Sequence, residues 1–194
     1  MDNETKKILT IHTIDKRMTD RKSPNMEKAG FEAALNELLE ENIQVKEVVT
    51  DAHLGIGSIM KKQYSDIHHS HDIWHAAKNL GNKILKVAQK KGNNILLDWS
   101  KDIVNHFWFS CRQAKTYEEF VGIWRSVLHH ITNTHEWIFS HGGVIQCMHG
   151  ELTEEERTKA WLSPTQHANV LKDLAAVVLD KRLLNNVGYF LNFR

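Results

Sequence analysis

The sequence is short of everything that staples or stiffens a chain. It has two prolines and two cysteines in 194 residues. Cys111 and Cys147 show no pairing pattern and no C-x2-C spacing, which excludes a disulfide framework and a zinc ribbon built on such pairs. They read as free thiols or as metal ligands. Neither charge sign dominates: 25 basic residues face 24 acidic ones, for a formal charge of +1. A global basic field for nucleic acid is therefore absent, although a local basic face stays open. No apolar run approaches the roughly 20 residues of a membrane span. The opening MDNETKKILTIHTIDK lacks the apolar core of a signal peptide. These features predict a soluble intracellular protein, nuclear or cytoplasmic. Repeats, low-complexity tracts and Pro-rich linkers are missing too.

Hydrophobic patterning predicts an alternation in the first half. Residues 8–14, ILTIHTI, read as a strand. Ser23-Pro24 opens a helix over 26–41, with Phe31, Ala34, Leu35, Leu38 and Leu39 on one face. The β-branched run 43–50 ends at Asp51. A short helix with two glycines follows, then a second strand over 67–74 and a helix from Trp74 to about Lys90. Strand–helix alternation argues an α/β layer on a parallel sheet, where ligands gather beyond the carboxyl ends of the strands. The second half reads as helices around 97–111 and 117–131, a Gly-His-Cys loop, a helix over 165–184 and an extended tail VGYFLNFR. The composition shifts near Gly92, giving an α/β part, 1–91, and a helical part, 92–194.

Histidine is plentiful, with thirteen in the chain. Asp51 and Asp72 stand at the exits of two successive strands, a placement that suits oxygen ligation of Mg²⁺ or Mn²⁺ as well as plain helix capping. His75 follows Asp72 at a spacing at which an Asp orients a His or both flank a metal. Cys147-x-His149 sits in a glycine-rich loop, and His106, Cys111, His135 and His141 are candidates to complete a tetrahedral zinc site with it. The alternative is one buried thiol and scattered histidines. Six tryptophans at helical spacing read mostly as core rather than as base-stacking platforms. Lys16, Arg17, Arg21 and Lys22 in one loop, and Lys83, Lys86, Lys90 and Lys91 on a helix, are either phosphate contacts or solvated faces.

The order of a strand ending in TD, a short helix, an aromatic, I-x-H-x-x-D-x-W-H and a helix starting near AAKNL resembles the catalytic core of DDE transposases with a ribonuclease-H-like fold. It is most similar to the Mutator-like and insertion-sequence group, which carries an Asp-x-x-His motif after the second acid. More narrowly, the whole chain resembles transposase-derived proteins of fish and invertebrates, through DIVNHFW, the Cys-x-His loop and YFLNFR. The resemblance implies a partial ribonuclease-H-like sheet with an all-α insertion. Asp51 matches the second metal-binding acid, and Asp72 with His75 matches the Asp-x-x-His motif. It further implies Mg²⁺ or Mn²⁺ in the intact family site, phosphodiester transfer and DNA as partner. The family's first Asp and final Glu have no counterpart in the pattern here.

The reading is thus a fragment of a transposase-derived DNA-integration protein, inactive alone, with a homo-oligomer or another chain completing the sheet. Two alternatives compete with it. One is a domesticated DNA- or protein-binding module containing zinc. The other is a metal-dependent hydrolase using Asp51, His53, Asp72 and His75.

Overall fold

The computed structural model describes residues 4–5 and 7–190. The chain is mixed α/β, with two small two-stranded sheets, and divides into two compact units, one ending at Asp72 and one starting at Ile73.

The first unit opens with irregular chain where a strand was expected over 8–14. β-propensity makes a strand only where a partner edge exists. Here Thr10 and His12 reach sideways instead to Glu37, His12 Nε2 at 2.7 Å. A 3-10 turn, Lys16–Thr19, precedes α1, Ser23–Glu40, which starts at the Ser-Pro pair as predicted. β1, Glu47–Thr50, covers only the last half of the 43–50 run. α2, Leu54–Gln63, is capped by His53, whose Nδ1 accepts from the Ile56 N–H at 3.2 Å. Gly55 leaves room for that ring: a Cβ there would lie 2.9 Å from His53 Cε1. β2, His68–His71, runs parallel to β1, with Glu47 opposite His68 and Thr50 opposite His71. The chain leaves β2 earlier than the 67–74 reading, because the next helix begins at Ile73. Leu35, Ile56 and Met60 form the small core, with Phe31, Val45, Val48, Tyr64 and Ile67 against it.

In the second unit α3, Ile73–Ala88, packs on α4, Ile95–Gln113. Gly92 lies in the turn between them, at φ +90. Beside it, buried Asn93 donates to the Val87 carbonyl at 3.1 Å and to Asp173 at 2.9 Å. α5, Tyr117–Arg125, is capped by Thr116, which accepts from Glu119 N, and α6, Val127–His130, follows at once. β3, Glu136–His141, and β4, Val144–Gln146, form an antiparallel hairpin. α7, Glu154–Arg157, has a reciprocal cap between Thr153 and Glu156. The helix expected over 165–184 is two: α8, Ala168–Val178, and α9, Lys181–Phe190. Asp180 breaks the run, since its Oδ1 accepts from Leu183 N at 2.8 Å and so starts a new helix. Val187–Phe190 of the tail expected to be extended is helical, held by fully buried Val187; 191–194 lie outside the described residues.

The large core holds Trp99, Phe107, Phe120 and Trp124 among Leu, Ile and Val of six helices. Trp99 and Trp124 satisfy their indole N–H groups on the Ala160 and Val178 carbonyls, at 2.9 and 2.8 Å. Trp74, in contrast, is 53% exposed. No helix among the described residues is long and apolar enough to cross a membrane.

Candidate metal centre

The hairpin organises the second unit's densest cluster of donors. Gly142 and Gly143 form its tip at φ +58 and +81, conformations open to glycine at no steric cost. Gly142 also lies against the Glu118 carbonyl, where a Cβ would overlap it. A Cβ on Gly122 would likewise overlap the His141 carbonyl oxygen. These close approaches fix the tip to α5. Near the base, Trp137 stacks on His129 with centroids 4.5 Å apart and donates to the Val144 carbonyl at 3.0 Å. His135 lies just before β3 and Cys147 just after β4, joined by Cys147 N–H to His135 carbonyl at 2.8 Å.

Four ligand atoms converge at that base. His130, His135, Cys147 and His149 each bring one donor atom within 4.8 Å of the other three. Cys147 Sγ is 3.6 Å from His130 Nδ1, and His149 Nε2 is 3.1 Å from His135 Nδ1. A tetrahedral ion about 2.3 Å from sulfur and about 2.1 Å from nitrogen separates S and N by ~3.6 Å and two N atoms by ~3.4 Å. The observed spacings fit that tetrahedron.

The tautomers make the fit more pointed. His149 Nδ1–H donates to the Gly150 carbonyl at 2.7 Å, and His135 Nε2–H donates to Asn133 Oδ1 at 3.0 Å. Each neutral ring then carries its lone pair on the other nitrogen. Those two nitrogens, His149 Nε2 and His135 Nδ1, face each other across the cluster. Two lone pairs at that distance repel unless a shared proton or a metal cation lies between them. The outward N–H bonds are also the kind that fix a ligating imidazole's orientation.

Burial and the surrounding imidazoles push His130 down to about 4, and burial lowers His135, so both rings are neutral near pH 7. Burial pushes the Cys147 thiol up to about 11. A bound divalent cation reverses that preference by stabilising the thiolate. A cavity of about 470 Å³ is lined by His130, Cys147 and His149 and by Ile103 and Phe109.

Cys147, His149 and His135 are thus brought together, and His130 joins them unforeseen. His106 stays out of the ligand group: its Nε2 donates to the Ile123 carbonyl at 2.7 Å, although its ring lines the cavity. Cys111 faces the core from α4, a thiol raised to about 12 by burial. His141 accepts from the Arg125 guanidinium at 2.9 Å.

In the first unit, Asp51 and Asp72 follow the ends of the paired parallel strands and bring carboxylate oxygens within 4.8 Å of each other. His75 stands on the first turn of α3, in the second unit. His53 is committed to capping α2. Lys83 and Lys90 are paired with Asp180 and Asp173, at 3.2 and 3.0 Å, which engages two of the four lysines considered for phosphate. Compared with models of known families, with curated proteins and with solved structures, the chain matches none.

Proposed function

We propose that this chain is a non-catalytic binding module of transposase origin whose β3–β4 hairpin is closed at its base by a structural zinc ion held by His130, His135, Cys147 and His149. The observation that carries it is the pair of imidazole lone pairs aimed at one point beside a thiol at tetrahedral distance. Zinc takes sulfur and nitrogen ligands in this geometry, and a set of four protein ligands leaves no position for substrate, which is the structural rather than the catalytic arrangement. The purified chain is expected to hold about one zinc per molecule, bound by three nitrogens and one sulfur in X-ray absorption. Less than about a tenth of an equivalent, with no change in metal content for Cys147→Ser, leaves only a buried thiol and clustered histidines.

A second observation supports the ancestry. Asp51 and Asp72 follow adjacent parallel strands, and Asp51 matches the acid that in the ribonuclease-H-like DDE core holds a divalent cation beyond a strand's carboxyl end. In this reading the first unit derives from that core and the protein meets DNA through the inherited scaffold. Only Asp51 matches one of the family's metal-holding acids, and two-metal phosphodiester chemistry needs a clamp on both the attacking and the leaving oxygen. The chain alone is therefore expected to leave supercoiled plasmid intact in Mg²⁺ or Mn²⁺. Nicking that disappears in Asp51→Ala would make it an active nuclease instead.

A further inference from the structure

The hairpin carries an apolar surface that none of the second unit's described residues covers. Ile138 and Phe139 are 91% and 88% exposed, and Ile145 and Met148 are 51% and 54% exposed. They lie on or just past one ribbon. The register slips between the Glu136–Gln146 and His141–Val144 pairs, so β3 has extra residues over this stretch, and Ile138 and Phe139 lie within it. The ribbon is not loose. Its tip is fixed on α5 by the Gly122 and Gly142 approaches, and its base is closed by Cys147 N–H to His135 and by the four donor atoms. Rigid presentation of large apolar side chains marks an interaction surface.

The sequence of β3 indicates what covers it. Glu-Trp-Ile-Phe-Ser-His is complementary to itself about its midpoint. A two-fold axis between Ile138 and Phe139 sets the apolar pair of one copy on that of the other. The same axis sets Glu136 of each copy opposite His141 of its partner, where the Arg125 guanidinium supplies positive charge. The four apolar residues expose on the order of 500 Å² per copy. Both copies together, with the polar rim, approach the ~1,200 Å² of a small specific interface. A two-fold contact uses the same patch twice, so each favourable pair is made twice.

We infer that the hairpin is a homodimer interface, with a second copy of this chain seated on Ile138 and Phe139. The inference rests on the zinc reading only for the rigidity of the ribbon's base. Sedimentation velocity on the zinc-loaded full chain tests it, with metal content measured on the same samples. The chain is expected to sediment as a dimer at micromolar concentration. Ile138→Glu and Phe139→Glu each raise the dissociation constant by about thirtyfold or more, as loss of a central anchor does, with zinc content and helicity unchanged. Glu136→Arg weakens the dimer, and adding Arg125→Glu to it restores association. A chain that holds one zinc but stays monomeric overturns the interface and leaves the metal reading standing. A dimer indifferent to these substitutions overturns it as well. A chain without zinc that dimerises through Ile138 and Phe139 overturns the metal reading and keeps the interface.

Discussion

Chelating the proposed zinc is expected to open the hairpin while the helices stay folded. β3 and β4 bury little: of their nine residues only Trp137 and Val144 are even partly shielded. The helices beneath hold a continuous core of buried aromatic and aliphatic side chains, none of them one of the four donor residues. Zinc at about a thousand times its dissociation constant stabilises whatever must be ordered to bind it by ~4 kcal/mol. Amide exchange through 135–147 should therefore accelerate by roughly a thousandfold on metal removal. Exchange in α4 and α8, and far-ultraviolet ellipticity at 222 nm, should hardly move. Unchanged exchange through the hairpin would mean that Trp137, the Gly-Gly turn and the contacts with α5 hold it without metal.

Trp124→Ala is expected to cost about 3–5 kcal/mol, the largest effect of any single side chain in the core. Trp124 is fully buried, meets Phe107 edge-on at 5.4 Å and gives its N–H to Val178. Truncation leaves a cavity and also orphans that carbonyl, a further ~1–3 kcal/mol if water does not reach it. Against a typical total of about 5–15 kcal/mol, much of the unit's stability is lost. Thermal or urea denaturation reads it directly. Trp74→Ala is the comparison: half exposed, it leaves no fully buried cavity and should cost less than Trp124→Ala. A Trp124→Ala protein as stable as its parent would mean that the core collapses into the gap, contrary to its tight aromatic packing.

The helices were legible because burial imposes a period. Leu80, Ile84 and Ala88 on α3, and Trp99, Ile103 and Phe107 on α4, are the buried residues that the spacing picks out. At the start of α4, Leu96 takes the core position while its neighbour Leu97 is half exposed. The hairpin was legible in principle. Gly142-Gly143 between WIFSH and VIQ is a two-residue turn signal, but reading the stretch as a glycine-rich loop hid the strands. His130 could not be read. His129 and His130 differ by about 100° around one helical turn, and only the returning chain decides which of them meets Cys147. Residues 8–14 failed for the opposite reason. Their propensity is real, but propensity names no partner, and Glu37 offered hydrogen bonds where no strand did.

All four donors of the metal centre fall between positions 130 and 149. Closing so short a loop costs little chain entropy, and local closure is fast compared with pairing distant segments. During synthesis the centre can therefore assemble before α8 and α9 have left the ribosome. α8 would then dock on α3 and α6, and α9 on α5, after the centre has formed. Metal supply would act on the order of folding, by setting how long the nascent ribbon, with Ile138 and Phe139 uncovered, waits in an open form that aggregates.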